Sequence, residues 1–123
     1  MNFIVDNNNL SDFNRKMKTG NMIVWYFAPW CGHCKMMESE WNKFMSFKNS
    51  HPVLSKSLNC ARVSDSILPN LHDKYKSITG FPTIKFYKNG NETPKGEFES
   101  HIPRTSENFK EFTFNNLNDD KSL

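Results

Sequence analysis

Cysteine is scarce in this sequence, and its scarcity limits the class of protein that the chain can form. Three cysteines among 123 residues are too few and too unevenly spaced for a disulfide-rich scaffold. With 37% hydrophobic and 14% aromatic residues, a chain of this length can bury a core without several structural disulfides. Internal repeats and linkers are also absent. We therefore expect one domain over residues 1–123, with two cysteines that work as a pair and one that is spare.

Long apolar runs and targeting signals are absent as well. No stretch reaches the roughly 18 apolar residues that a membrane-spanning helix needs. The first residues, Met1 to Asp6, lack the basic start and apolar run of a secretory signal, and the last, Asp119 to Leu123, lack a Lys-Asp-Glu-Leu type retention signal. We expect a soluble protein, which is cytosolic or carried in a virion if the chain is complete and secretory if an upstream segment has been removed.

The charge balance argues against nucleic acid as a partner. Sixteen basic and 13 acidic residues give a formal charge of +3. The basic residues are scattered and form no run that would follow a phosphate backbone. We expect a monomer with no nucleic acid partner and no membrane span.

Hydrophobic spacing predicts an alternation of strands and helices. Residues 22–28 form a continuous apolar run, which is typical of a central strand covered on both faces. Ser11 is expected to cap the first helix, and Asn89-Gly90 is a strong hairpin signal. The predicted strands cover residues 3–5, 22–28, 58–63, 83–88 and 95–100, and the predicted helices cover residues 12–18, 31–47, 66–75 and 105–117. This order indicates an α/β chain.

Cys31 and Cys34 lie at the predicted junction between the central strand and the helix that follows it. Two cysteines three residues apart on a helix share a face within disulfide reach. A free thiol is only about 3% thiolate at pH 7, but a helix N-terminus and the charge of Lys35 or protonated His33 favour the anion. We therefore expect Cys31 to be the nucleophile and Cys34 to stay protonated until it resolves a mixed disulfide.

A zinc site is the alternative use of two cysteines at this spacing. Structural zinc usually needs four ligands, and the sequence has neither a second cysteine pair of this kind nor two histidines at zinc-binding spacing. The sequence therefore predicts no metal site.

Two stretches resemble a known family. Residues 25–35, which read WYFAPWCGHCK, and residues 80–90, which read GFPTIKFYKNG, are similar to the active-site strand, the cis-proline loop and the following hairpin of thioredoxin-fold domains. The resemblance implies an α/β thioredoxin fold, in which a central mixed β-sheet is flanked by α-helices. The CGHC motif resembles a catalytic domain of protein disulfide isomerase more than a thioredoxin, which has proline where His33 stands.

The resemblance gives several residues an expected role. Pro82 is expected to be a cis-proline that faces the cysteines, and the backbone of Phe81 is expected to offer an edge to an extended substrate. Arg104, just before the last helix, matches an arginine that eases deprotonation of the second cysteine. Trp30 and Gly32, on either side of the first cysteine, are expected at the substrate-binding rim.

His33 is expected to set the redox poise. Potentials of roughly −270 mV for thioredoxin and −180 mV for disulfide isomerase differ by about 90 mV, which is roughly 4 kcal/mol in dithiol stability. A histidine at this position is therefore expected to stabilise the Cys31 thiolate and to make the disulfide more oxidising.

Trp25 departs from the family pattern. The family usually places a buried Glu or Asp six residues before the first cysteine, where it relays a proton from the second, and Trp25 stands there instead. We expect slower deprotonation of Cys34 and slower release of mixed disulfides. Cys60, alone in a predicted strand, is interpreted as a small buried hydrophobe.

The expected function is oxidation and isomerisation of protein disulfides by an oxidoreductase of the disulfide isomerase type. Its partners would be protein thiols and disulfides, together with an unspecified redox partner, and no cofactor is implied. One alternative is a cytosolic thioredoxin-like reductase, which the missing secretory signal favours. The other is a non-catalytic peptide-binding module, which Trp25 alone favours.

Overall fold

The strands pair into one mixed sheet with helices on both faces. In the computed structural model, which describes residues 1–118, the strands are β1 (Asn2–Ile4), β2 (Asn21–Phe27), β3 (Leu58–Ser64), β4 (Thr83–Tyr87) and β5 (Gly96–Glu97). The helices are α1 (Leu10–Thr19), α2 (Gly32–Ser50), α3 (Leu54–Ser57) and α4 (Ser106–Leu117). The expected absence of a retention signal at Asp119 to Leu123 concerns residues outside the described part of the chain.

The sheet order is β1-β3-β2-β4-β5. β1 and β2 both pair parallel with β3, whereas β4 pairs antiparallel with β2 and with β5. Within residues 1–118, no helix is both long enough and apolar enough to cross a membrane.

β2 is the central strand and contributes to two cores, as its apolar run predicts. Successive side chains of a strand point to opposite faces, so Ile23 and Trp25 join the core beneath α2 and α4, and Met22, Val24 and Tyr26 join the core beneath α1. The largest buried side chains of the first core are Trp25, Trp41, Phe44, Phe86 and Phe109, and those of the second are Phe13, Met17, Met22, Tyr26 and Tyr87.

α2 begins immediately after Cys31 and ends before His51-Pro52, where proline disfavours helical backbone in the residue that precedes it. It ends three residues later than predicted. Lys48 explains part of this length, because its side chain is buried and its Nζ donates to the Oδ1 of Asn2 at 2.8 Å. This bond joins the last turn of α2 to β1.

The helix predicted over residues 66–75 is wrong. The chain forms two 3₁₀ turns, Leu68–Asn70 and Asp73–Tyr75, and Leu71 between them is extended. Tertiary contacts override the helical spacing: Leu71 and Tyr75 are buried in the core beneath α1, and the hydroxyl of Tyr26 donates to the backbone carbonyl of Tyr75 at 2.8 Å. The Nδ1 of His72 also accepts from the N–H of Lys74, which stabilises the second turn locally.

Two local predictions also need correction. Ser11 does not cap α1: it lies inside the first turn, and Asn9 occupies the cap position without a side-chain cap bond. The hairpin signal is correct, because Asn89 and Gly90 both have positive φ, but the returning strand is only two residues long. Glu97 pairs with Lys85, and the N–H of Phe98 still donates to the carbonyl of Ile84 at 2.9 Å before the ladder ends.

Candidate active site

Cys31 lies where β2 gives way to α2, and the local backbone aims hydrogen-bond donors at its sulfur. Its own N–H donates to the carbonyl of Ala28 at 3.0 Å, which turns the chain into the helix. Cys31 is the N-cap of α2, and its Sγ accepts from the N–H of Cys34 at 3.1 Å. A donor at this distance and the positive end of the helix both favour negative charge on the sulfur.

Cys31 and Cys34 are joined in a disulfide, and their Cα atoms are 5.2 Å apart. Both cysteines are buried, whereas Gly32, His33 and Lys35 are exposed. Trp30 is 69% exposed next to them. The disulfide therefore lies beneath an exposed rim.

The loop before β4 comes against this rim. The Phe81-Pro82 peptide bond is cis, and the ring of Phe81 meets that of Trp30 edge-on, with centroids 5.7 Å apart. A groove of about 510 Å³ is lined by residues of this loop, by residues 97–100 and by Arg104. Pro82 and Arg104 therefore share one groove.

Arg104 is half-buried, and its side chain makes no hydrogen bond or ion pair with any other residue of the described range 1–118. Its guanidinium is thus not held by a carboxylate of that part of the chain.

Asp65 belongs to this region although the sequence analysis did not identify it. Its Oδ2 accepts from the indole N–H of Trp30 at 3.0 Å, and its own N–H donates to the carbonyl of Phe27 at 2.9 Å. β2 and β3 are parallel, so their carboxyl ends meet at one edge of the sheet. That topology was the one signal that could have placed Asp65 beside Trp30.

Trp25 is buried beneath an ion pair. The Cζ of Arg62, on the neighbouring strand, lies 4.6 Å from the centre of the Trp25 ring. The Nη2 of Arg62 in turn donates to the Oε2 of Glu38 at 3.1 Å. A carboxylate therefore lies near Trp25, but it belongs to Glu38 on α2 and not to a residue of β2.

A cavity of about 240 Å³ lies beside Cys34, between α2 and the sheet. Its lining consists of Trp25, Phe27, Ala28, Pro29, Cys34, Lys35, Glu38 and Arg62. Trp25 Nε1 and Arg62 Nε are buried and have no hydrogen-bond partner within residues 1–118. Both of these residues line the cavity, but their unpaired N–H groups are covered by neighbouring atoms.

Cys60 is a buried free cysteine on β3. Burial raises its pKa to about 12, although the nearby charge of Lys48 acts in the opposite direction. This thiol is therefore protonated at neutral pH. Within residues 1–118, no three His, Cys, Asp or Glu side chains are grouped so that they could hold a metal ion.

The chain was compared with known proteins. The family model described as Thioredoxin matches residues 4–116. The similar curated proteins include Protein disulfide-isomerase A2 of Mus musculus, with 33% identity over 91 residues, and Probable protein disulfide-isomerase A6 of Medicago sativa, with 36% identity over 97 residues. These alignments cover 74% and 73% of the chain. The chain spans only 16% and 22% of the length of these two relatives.

Solved structures agree with these matches. The first two thioredoxin domains of Naumovozyma dairenensis Eps1p match with a TM-score of 0.66 and 26% identity, over 89% of this chain and 38% of that one. The first thioredoxin domain of mouse Protein disulfide-isomerase A4 matches with a TM-score of 0.67 and 23% identity, over 95% of this chain and 76% of that one. The expected α/β fold, with its mixed sheet and flanking helices, is confirmed.

Proposed function

The chain belongs to the thioredoxin family, and from this premise we propose that it is a thiol–disulfide oxidoreductase of the protein disulfide isomerase type. The observation that supports this function best is the position of Cys31 as the N-cap of α2, with the N–H of Cys34 donating to its sulfur at 3.1 Å. A thiolate formed at Cys31 on reduction would keep this donor and the positive end of the helix. Cys31 is therefore the nucleophile of the proposed reaction.

In the oxidising direction, a substrate thiolate attacks the Sγ of Cys31. The bond between Cys31 and Cys34 breaks, and Cys34 leaves as a thiolate that takes up a proton. A second substrate thiolate then attacks the substrate sulfur of the mixed disulfide, and Cys31 leaves as a thiolate. The substrate dithiol is oxidised to a disulfide and the protein disulfide is reduced to a dithiol.

In the isomerising direction, the Cys31 thiolate of the reduced protein attacks a substrate disulfide. The substrate then either rearranges and expels Cys31, or is reduced when the Cys34 thiolate attacks the Sγ of Cys31. His33 favours the oxidising and isomerising directions, because a histidine between the cysteines stabilises the reduced, thiolate-bearing form.

The substrate surface of this proposal runs from Trp30 to the cis-proline loop. Trp30 offers an exposed aromatic rim, and the edge-on contact with Phe81 connects that rim to Pro82. An extended peptide can pair with the backbone of Phe81 while its cysteine reaches Cys31. Arg104 lines the same groove as Pro82 and has no ion-pair partner within residues 1–118, so its charge is free to act on a group that binds there.

The test is refolding of a reduced, disulfide-containing protein in glutathione buffer, followed by recovery of that protein's activity. Cys31→Ser is expected to abolish catalysis, Cys34→Ser to accumulate mixed disulfides, and Cys60→Ala to retain activity as the matched control. Full activity of Cys31→Ser would contradict the proposal. If that variant also kept its affinity for unfolded peptides, it would favour the peptide-binding module.

The reductase alternative is tested by equilibrating the Cys31–Cys34 pair with glutathione. A potential near the roughly −180 mV of disulfide isomerase supports the proposal, whereas one near the roughly −270 mV of thioredoxin favours a reductase.

A further inference from the structure

Glu38 and Cys34 are close in the fold through their positions on α2. They are four residues apart, and side chains at this spacing lie on the same face of a helix. Both line the cavity of about 240 Å³ between α2 and the sheet. Cys34 is 3% exposed, whereas about half of the Glu38 side chain is exposed. The cavity therefore connects the buried Cys34, which becomes a thiol on reduction, with a carboxylate that is in contact with solvent.

Arg62 holds this carboxylate in place. Its guanidinium is itself fixed, because its Cζ lies 4.6 Å from the centre of the Trp25 ring and 5.0 Å from that of Phe27. From this position it donates to Glu38 at 3.1 Å. A glutamate on an exposed helix surface is otherwise free to sample several rotamers. Glu38 is instead directed towards the side of α2 that faces β3.

We propose that Glu38 accepts the proton of Cys34 when the protein resolves a mixed disulfide. The Cys34 Sγ–H proton passes to the Glu38 carboxylate, directly or through one water, and Glu38 then releases it to solvent. The Cys34 thiolate attacks the Sγ of Cys31, so the internal disulfide forms and the substrate leaves as a thiolate. This step rests on the proposed function, because it is the resolving half of that reaction.

The other charged groups that line this cavity cannot play this part. From α2 the cavity receives Lys35 and Glu38, and from β3 it receives Arg62. β2 contributes only the uncharged Trp25 and Phe27. The two cations stabilise a thiolate but have no free site for a proton. Glu38 is the one carboxylate that lines the cavity within residues 1–118.

A water molecule suits this cavity. A polar cavity can hold water when it offers enough room and two or more polar partners. The volume of about 240 Å³ leaves room for a water, and the Glu38 carboxylate and the Cys34 thiol of the reduced protein are two polar partners for it. Such a water can accept the Cys34 proton while it donates to Glu38.

The test measures formation and resolution of a mixed disulfide separately. Reduced protein is mixed with excess glutathione disulfide, quenched in acid after milliseconds to seconds, and analysed by mass spectrometry. Glu38→Gln is expected to prolong the mixed disulfide about tenfold near pH 7, which is less than the roughly 10²–10⁴-fold of an optimised general base, because about half of the Glu38 side chain is exposed and water competes with it for the proton. The difference should disappear at alkaline pH, where hydroxide removes the proton. The rate at which the mixed disulfide forms should not change.

Two variants complete the design. Glu107→Gln removes the same charge from α4, where Glu107 pairs only with Lys110, and should behave like wild type. Glu38→Asp keeps the carboxylate on a shorter side chain and should give an intermediate lifetime, which also provides the test if the glutamine variant does not fold.

An unchanged mixed-disulfide lifetime in Glu38→Gln would overturn the proposal. So would a slowing that is equal for formation and resolution, or equal at every pH, because a structural defect behaves in that way. If wild type formed no mixed disulfide at all, the proposed function itself would fail. If only the Glu38 proposal failed, wild type would still form and resolve the mixed disulfide, and Glu38→Gln would do so at the same rates.

Discussion

The guanidinium of Arg62 lies over the ring of Trp25, with its Cζ 4.6 Å from the ring centre. The two residues are opposite one another in the pairing of β2 with β3. Only 21% of the Arg62 side chain is exposed, so its aliphatic part covers the core while its charged end reaches Glu38 at the surface. Arg62 therefore contributes both to the stability of the sheet and to the electrostatics beside Cys34.

Arg62→Ala is expected to destabilise the protein by about 1–2 kcal/mol, because the variant loses a partly desolvated cation–π contact and the packing of the side-chain stem. Arg62→Met, which keeps most of the stem, should lose less. The matched control is Arg15→Ala, since Arg15 is exposed and pairs only with Asp12 on the same helix. Urea unfolding measures all three. An equal loss in Arg15→Ala would show that the position of Arg62 over Trp25 has no special effect.

Gly90→Ala is expected to destabilise the protein by roughly 1–3 kcal/mol, the usual cost of a strained backbone position. Gly90 has a φ of +78°, and a Cβ there would lie 2.1 Å from the carbonyl oxygen of Lys18 at the end of α1. Gly80→Ala is the matched control, because a Cβ at Gly80 meets nothing within 4 Å. The free energies of unfolding of the two variants should differ clearly, and similar values would contradict the contact between this turn and α1.

Features with strong local rules could be predicted from the sequence. The apolar run of β2 has few alternatives to a central strand, and Pro52 limits how far α2 can extend. The positive φ angles of Asn89 and Gly90 follow from the preference of that pair for hairpin turns. In each case the determinant lies within a few residues along the chain.

Features that depend on pairing between distant residues could not be predicted. Glu38 and Arg62 are 24 positions apart, and Trp30 and Asp65 are 35 apart. Nothing in the spacing of either pair indicates a contact, because each depends on the register of β3 against β2. The extended backbone at Leu71 is a similar case, since burial in the core outweighs a helical pattern of apolar residues.

Glu40 is expected to make stability depend on acidity. Its pKa is lowered, first by the backbone N–H of Ser106, which donates to it at 2.8 Å, and then by Lys43. A lowered pKa contributes stability that is fully present above the unfolded value of about 4.3. That contribution is lost as the pH falls through the folded pKa.

Glu40→Gln should therefore differ most from wild type near neutral pH, and the difference in unfolding free energy should shrink below about pH 4.5 as wild-type Glu40 takes up its proton. Glu107→Gln serves as the control, because Glu107 is well exposed and should change the acid dependence little. Urea unfolding at a series of pH values measures both variants. A difference that stays constant with pH would mean that the Glu40 charge does not hold the N-terminus of α4.

His33→Pro is expected to make the disulfide less oxidising. The substitution removes an exposed imidazole that can carry positive charge next to Cys31, so the thiolate of the reduced form is less stabilised. The potential should fall by up to about 90 mV, the difference between the disulfide isomerase and thioredoxin values. Equilibration with glutathione measures the shift, and Lys56→Gln is the control, because it removes an exposed charge from α3, which contributes nothing to the site. An unchanged potential would mean that His33 does not set the redox poise.

Trp25→Glu tests whether a carboxylate on β2 can replace Glu38. The core loses a large side chain that contacts Trp41, which should cost about 3–5 kcal/mol. Trp25→Gln is the matched control, because it removes the same ring without adding an acid. Both variants must remain folded in urea titrations before their kinetics are compared.

In Trp25→Glu the new carboxylate is placed beside Arg62 and the cavity of Cys34, so it can take the Cys34 proton. Resolution of the mixed disulfide should be about tenfold faster in Trp25→Glu than in Trp25→Gln near pH 7. Adding Glu38→Gln should then slow resolution in Trp25→Gln but not in Trp25→Glu, because the carboxylate at position 25 can replace that of Glu38. Equal rates in the two single variants would mean that proton acceptance from β2 does not limit this step. An equal slowing of both by Glu38→Gln would mean that the two carboxylates do not share one proton path.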